Sequence, residues 1–315
     1  PLKNISELPL PAWDLIDMDS YRNIWLSRWN YFSLNIATTR GCPYKCNWCA
    51  KPIYGNNYNM RSPEHVVQEL KLLIHQHKAD HIWFCDDIFG LRRNWVIEFA
   101  DLVKKEKLKF KYKIQSRADL LVQERYVETL ADSGCESVWM GAESGSQKIL
   151  DAMDKGTTIA QIREANRLLK LYKIEPAFFI QFGYLGETIQ DIKLTIELLN
   201  ECMPEDIGVS VSYPLPGTAF YERVKQDLKQ KTNWVDSDEL TLMFNSTYSP
   251  EFYRQLHRYF HKNYRKNQAL ESCANLLYKM TFKNWKRAAS LIYYLPITLL
   301  EKKKLQYIEP HASCL

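Results

Sequence analysis

Residues 32–49 read Phe32-Ser33-Leu34-Asn35-Ile36-Ala37-Thr38-Thr39-Arg40-Gly41-Cys42-Pro43-Tyr44-Lys45-Cys46-Asn47-Trp48-Cys49. The first half, Phe32 to Thr39, is a short β-type run. The second half gathers three cysteines in the spacing C-x3-C-x2-C. A short loop of that kind can wrap three thiolates around one face of a cubic iron–sulfur cluster and leave the fourth iron open. An open metal position is what a catalytic site needs, whereas a structural site is closed. No fourth Cys or His follows within 15 residues, and His65, the nearest histidine, falls inside a helix pattern, which speaks against a zinc knuckle. A purely structural cluster is the remaining alternative.

Outward from this stretch the chain alternates between two periods. Ser62-Pro63-Glu64 starts a helix: Ser caps it, Pro takes the first helical position and Glu favours the positive end. Val66, Val67, Leu70, Leu73 and Ile74 then share one helical face. Strands are expected at His81–Cys85, Phe110–Gln115, Glu136–Gly141, Ala177–Phe182 and Ile207–Ser212. Helices are expected at Trp95–Lys105, Gln123–Ser133 (closed by Gly134), Ser146–Met153, Thr158–Tyr172, Thr188–Glu201 and Thr218–Leu228. That makes six βα units, which predicts an α/β fold with a parallel sheet and right-handed crossovers. Six units are too few for the eight-stranded barrel, so a partial (β/α)6 barrel is expected, with a doubly wound sheet as the alternative. Both place ligands at the C-terminal ends of the strands. Those ends carry polar sequences: Thr38-Thr39-Arg40, Cys85-Asp86-Asp87, Gln115-Ser116-Arg117, Gly141-Ala142-Glu143-Ser144, Gln181-Phe182-Gly183 and Ser212-Tyr213-Pro214.

Composition sets the outer limits. The chain has 315 residues, 46% hydrophobic and 25% charged, which is ordinary for a globular protein and excludes wholesale disorder. The longest apolar run, Ala288 to Leu300, is too short for a membrane span. Eight cysteines, three clustered and five scattered, do not form a disulfide framework; the scattered five (Cys85, Cys135, Cys202, Cys273, Cys314) are expected to be buried small hydrophobes, and the compartment reducing and cytoplasmic. Of the net charge of +5, residues 251–315 hold 12 basic and 4 acidic residues, so the excess belongs to the tail. A nucleic-acid-coating surface over the whole protein is therefore not expected.

The cysteine motif directly after the first strand, with the aromatic Trp48 before the last cysteine, resembles the hallmark of the radical S-adenosylmethionine enzymes. Motif and βα units together cover about residues 32–230. The resemblance implies a four-iron cluster on Cys42, Cys46 and Cys49, with S-adenosylmethionine on the open iron. It also implies reductive cleavage to a 5′-deoxyadenosyl radical that takes a hydrogen atom from the substrate, and reduced ferredoxin or flavodoxin as electron donor. Asp86 and Asp87 stand where the family contacts the methionine ammonium, in place of the commoner Gly-Gly-Glu; the alternative is a helix cap or turn pair. Ser116 and Arg117 end the third strand, where an Arg could hold the methionine carboxylate or instead pair with Asp119 or Glu143. Glu143 stands where the family binds ribose or methionine, or else caps the next helix. Gly183 and the Gly186-Glu187-Thr188 turn resemble the family's glycine-rich fifth-strand ending, and Pro214-Leu215-Pro216-Gly217-Thr218 its sixth.

Leu8-Pro9-Leu10-Pro11-Ala12-Trp13-Asp14-Leu15 is similar to the linker after the cobalamin-binding domain of cobalamin-dependent members, and Gly145 and the 151–156 stretch match their pattern. The expected organisation is therefore a linker over 1–30 following a cobalamin-binding domain, a radical core over 31–232, and a basic, mostly helical extension over 233–315. Cobalamin is implied by this resemblance, and with it methyl transfer to a small-molecule or lipid-like substrate. A cyclase or other oxidative rearrangement is the alternative, and a non-enzymatic electron carrier or a zinc-stabilised RNA-binding protein are the readings from other classes. In the tail, Tyr253, Leu256, Phe260 and Tyr264 form one helical stripe, expected to pack as core or to wall the substrate cavity. The Leu291–Leu300 run with its lysine flanks reads either as a packed helix or as a contact with a membrane surface, a lipid or an anionic substrate.

Overall fold

The computed structural model describes residues 4–49, 55–228, 243–276 and 281–315. In chain order the elements are α1 (Met18–Trp29), β1 (Ser33–Ile36), β2 (Thr39–Arg40), β3 (Asn59–Met60), α2 (Pro63–Lys71), β4 (His81–Phe84), α3 (Arg93–Lys105), β5 (Lys111–Ser116), α4 (Ala118–Leu121), α5 (Tyr126–Asp132) and β6 (Cys135–Glu143). They continue with α6 (Gln147–Ala152), α7 (Ile159–Leu171), β7 (Glu175–Phe182), α8 (Ile189–Cys202), β8 (Asp206–Val211), α9 (Ala219–Val224), α10 (Pro250–Leu276), α11 (Phe282–Ala289) and α12 (Leu291–Ile308). Six strands form one sheet in the order β1-β4-β5-β6-β7-β8, and the β1–β4, β4–β5 and β5–β6 pairs are parallel. The sheet order follows the chain order without a reversal. A doubly wound sheet needs a reversal point, so the order is that of a partial (β/α)6 barrel.

Two compact units divide the chain: residues 1–45, 51–142 and 160–178, and residues 46–50, 143–159 and 179–315. In the first unit the helix starts follow local chemistry. The Ser62 hydroxyl accepts from the His65 N–H, with Pro63 next. Ile36, Ile82, Phe84, Tyr112, Ile114, Val138 and Met140 are buried on the helix-covered face of the strands. Within the 1–30 segment α1 is a regular helix, capped by Asp17 at its start and by Asn30 in the left-handed region at its end. Only Met18 of this helix is buried, so no apolar period announces it.

In the second unit, Thr188 and Asp191 form a reciprocal capping box at the start of α8. Tyr253, Leu256, Phe260 and Tyr264 of α10 are all buried, with Phe260 edge-on to Phe182 at 5.0 Å, which is the core reading of that stripe. Of the scattered cysteines, Cys135 and Cys202 are buried, Cys273 is half-buried, and Cys85 and Cys314 are exposed, so burial does not explain the last two. The expected boundary at 232 lies outside the described residues.

Gly145 is fixed by its neighbours. A Cβ there would lie 2.2 Å from the Leu194 carbonyl oxygen and 2.6 Å from the Thr195 Cα, both backbone atoms of α8. Gly145→Ala is therefore expected to destabilise by about 2–4 kcal/mol, lowering Tm by about 5–10 °C. Gly186→Ala, at φ +77° with nothing within 4 Å, should show only the smaller backbone penalty. Equal thermal melts for the two variants would contradict the close packing of Gly145 on α8.

Candidate active site

The cysteine loop leaves β1 through Thr38 and Thr39, and one carboxylate fixes that exit. Asp86, just past β4, accepts from the Thr38 N–H at 2.7 Å, the Thr39 N–H at 2.9 Å and the Thr38 hydroxyl. Asp86 is 1% exposed, and burial pushes its carboxyl up to about 6 against the opposing hydrogen bonds. Its neighbour Asp87 is exposed. The two aspartates that the sequence leaves equivalent are thus separated: one anchors the loop, the other is open. A two-residue antiparallel ladder, Thr39 with Met60 and Arg40 with Asn59, closes the loop at its base. No periodic pattern marks a ladder that short.

Tyr44, between the first two cysteines, is held from the end of β5. The Arg117 guanidinium lies 3.6 Å from the Tyr44 ring centre, and Arg117 Nε donates to Asp119 at 2.9 Å. Tyr44 in turn donates to Asp119 at 3.1 Å, and burial pushes its phenol up to about 12. Arg117 is 3% exposed. Of the alternatives for this residue, the Asp119 pair is present, and the guanidinium also stacks on the loop. Ser116 beside it is buried. On the face of the strands turned away from the helices, the register sets Asn35, Trp83, Lys113 and Ser137 side by side. Lys113 Nζ stands 4.0 Å from the Trp83 ring centre, and its pKa is lowered by burial.

The later half of the loop is held in the second unit by Asn47, a residue the sequence reading does not single out. Its side-chain amide donates to the Ala152 carbonyl at 2.8 Å and to Asp154 at 2.7 Å, and its carbonyl accepts from the Tyr184 hydroxyl at 2.7 Å. Its backbone bonds to Met153 and Phe220 at 3.1 and 2.9 Å. Asn47 lies between Cys46 and Trp48, so these bonds fix the approach of both. The Trp48 indole N–H is buried and has no acceptor among the described residues.

Glu143 ends β6 in the left-handed region at φ 59°. Backbone held there in a residue other than glycine costs free energy and is concentrated at functional sites. The Glu143 carboxylate accepts from Lys155 Nζ at 2.8 Å, with both side chains buried. Glu143 therefore does not act as the cap of α6; Ser146 is the cap position there. Lys155 lies in no motif, and only its place in the 151–156 stretch could have drawn attention to it. Gly183, past β7, has φ 78° and its N–H donates to Glu187 at 2.7 Å. Glu187 is fully buried.

All eight cysteines are unbridged. Among the described residues no three His, Cys, Asp or Glu side chains converge as for one metal ion. A cubic cluster does not require that, because each thiolate binds a different iron. Three cysteines within one anchored loop, free of competing carboxylate or imidazole within it, are a donor set that suits such a cluster, and the orphaned Trp48 N–H beside Cys49 leaves a donor for a bound group.

The chain spans about half the length of the curated relatives it matches. It is 28% identical over 235 residues to an uncharacterized methyltransferase of Pyrococcus horikoshii, covering 74% of this chain and 50% of that one. It is 25% identical over 240 residues to the anaerobic magnesium-protoporphyrin IX monomethyl ester cyclase of Rubrivivax gelatinosus, covering 75% and 42%. In fold it is similar to the cobalamin-dependent S-adenosylmethionine radical enzyme OxsB, solved with aqua-cobalamin and S-adenosylmethionine, at a TM-score of 0.63 and 17% identity over 89% of this chain and 48% of that one. The radical SAM superfamily model matches residues 36–199, from the end of β1 through the cysteine loop and well into α8. That match covers more than half of the chain and gives the lineage: the chain belongs to the radical SAM superfamily.

Proposed function

We propose that this chain is the catalytic core of a radical enzyme that cleaves S-adenosylmethionine and takes a hydrogen atom from a small-molecule or lipid-like substrate, for methyl transfer assisted by cobalamin in the whole protein. The observation that carries it is the cysteine loop, fixed by Asp86 where it leaves β1 and by Asn47 before its last cysteine. When bound, a four-iron cluster supplies one electron to the sulfonium, and the cleaved nucleoside supplies the radical.

Cys42, Cys46 and Cys49 would hold the cluster, with Trp48 packed beside it. Asp87, the exposed aspartate, is assigned to the methionine ammonium, where a carboxylate suits a cation. Glu143, with its backbone already in the left-handed turn and its charge balanced by Lys155, is assigned to the ribose or amino-acid part, and Ser116 and the Gly183 backbone are assigned to the same cofactor. Arg117 is a positioning residue acting through Tyr44. The row of Trp83 and Lys113 supports a substrate with a flat apolar part and an anionic group. Reduced ferredoxin or flavodoxin is the proposed donor, in the cytoplasm. Residues 1–30 would connect to a cobalamin-binding domain; the likeness in fold to OxsB, a cobalamin-dependent enzyme twice as long as the stretch it shares with this chain, supports that reading.

Reduction of the reconstituted chain with S-adenosylmethionine should release 5′-deoxyadenosine. Asp87→Asn and Glu143→Gln should each weaken S-adenosylmethionine binding about 10-fold or more, the range for one truncated partner of a charge-assisted contact. Both should retain iron. Unchanged binding in both variants would refute the cofactor assignments while leaving the cluster untouched. The cyclase in the comparisons favours a second reading, ring closure by oxidation. The whole protein distinguishes the two: methyl transfer releases S-adenosylhomocysteine with 5′-deoxyadenosine, and cyclisation releases 5′-deoxyadenosine alone.

A further inference from the structure

The last two helices turn several large apolar side chains outward. The side chains of α12 that bury themselves are Thr298, Glu301 and Leu305, one face at spacings of three and four, and the Glu301 carboxylate and carbonyl both accept from Gln255 of α10. On the other side Ile292 is 85% exposed and Tyr307 91%, with Leu295, Leu299 and Leu300 exposed between them. In the helix before it, Phe282 and Trp285 of α11 are exposed and their rings stack on each other. A surface helix of a globular protein normally turns such residues to the core. Here Leu305 faces inward with the hydrogen-bonded Thr298 and Glu301, while several large apolar side chains face solvent, which marks an interaction surface.

Charge decides what covers it. Lys286 beside Trp285 and Lys303 beside the Leu299–Leu300 pair are exposed, and neither forms an ion pair among the described residues. The tail that contains them is basic while the rest of the chain is slightly acidic. Protein–protein interfaces deplete lysine. Helices that lie in a lipid interface combine Trp, Phe and Leu on one side with lysines that reach the headgroups. No described helix is long and apolar enough to cross a membrane, so such a surface would lie on the bilayer.

We propose that the outward face of α11 and α12 docks on the surface of an anionic phospholipid membrane. The inference stands apart from the radical chemistry, and its test needs neither cluster nor substrate turnover. The chain is floated with vesicles of phosphatidylcholine alone or of phosphatidylcholine with phosphatidylglycerol. It should float with the anionic vesicles and lose most of that binding at high salt. Ile292→Asp combined with Leu299→Asp, and separately Lys286→Glu combined with Lys303→Glu, should each reduce binding about 10-fold or more. All four positions are exposed, so circular dichroism and iron content should match the parent. Equal binding to neutral vesicles would overturn the proposal, as would no binding to either. So would self-association of the chain that the Asp variants abolish, which would make a second copy the occupant.

Discussion

Replacing Cys42, Cys46 or Cys49 by alanine is expected to take the iron content of the anaerobically reconstituted chain from about four per chain to near none, and reductive cleavage of S-adenosylmethionine with it. Each thiolate holds one iron, and a cluster left with two protein ligands on a loop has lost the chelation that keeps it from solvent. Cys85→Ala, Cys135→Ala, Cys202→Ala and Cys273→Ala should retain the iron. These controls test more than position in the sequence, because exposure alone does not pick out the ligands: Cys85 is exposed while Cys42 is buried. Iron and sulfide analysis with the visible spectrum reads the result. Full iron content in the Cys46→Ala variant would remove the cluster assignment altogether.

The strands and their helices are legible because each half-buried element repeats its own period, and the capping residues Ser62, Thr188 and Thr218 stand where the chain turns. The order of the sheet is not legible. A partial barrel and a doubly wound sheet share the same βα alternation, and only strand neighbours separate them. Helix α1 escapes because it buries one residue and so has no apolar face to read. The cysteine loop is legible by spacing, but its anchors are not. Asn47 is one of the two spacer residues between Cys46 and Cys49, to which the cysteine spacing assigns no role, and Lys155 meets Glu143 only because β6 and α6 bring residues twelve apart together. Asp86 and Asp87 look alike in a sequence, since a carboxylate that holds a backbone turn and one that faces solvent differ only in burial. The α12 apolar run reads in the sequence as a packed helix or a surface contact, and the burial of Thr298, Glu301 and Leu305 beside the exposure of Ile292 and Leu299 is a pattern that no periodicity in the run announces.

Glu187 should set the pH dependence of stability around neutrality. Its carboxyl is fully buried, and burial pushes it up to about 8, with Asp191 adding to the rise and the Gly183 N–H and Lys148 opposing it. Tyr248 and Tyr253 are the other titratable groups it faces. One carboxylate oxygen accepts from Gly183 and the other has no partner among the described residues, so the folded chain keeps the proton. An unfolded glutamate titrates near its ordinary value of 4.5. A folded pKa above the unfolded one gives stability that is complete below about 4.5 and is lost as pH rises towards 8. Asp86, raised to about 6, acts in the same direction at lower pH, while His81 and His261, pushed down to about 4 by burial, reduce stability as pH falls below 6.5. Between pH 6.5 and 8 the Glu187 proton therefore dominates the slope. Over that window the parent should lose about 2 kcal/mol in urea titrations, at ~1.4 kcal/mol per pH unit for one proton. Glu187→Gln keeps the shape of the protonated acid and has no proton to lose, so its stability should be nearly flat and should exceed the parent's at pH 8. A parent already flat across the window, or a Gln variant with the same slope, would show that Glu187 is ionised in the fold and that the turn after β7 holds a buried charge instead.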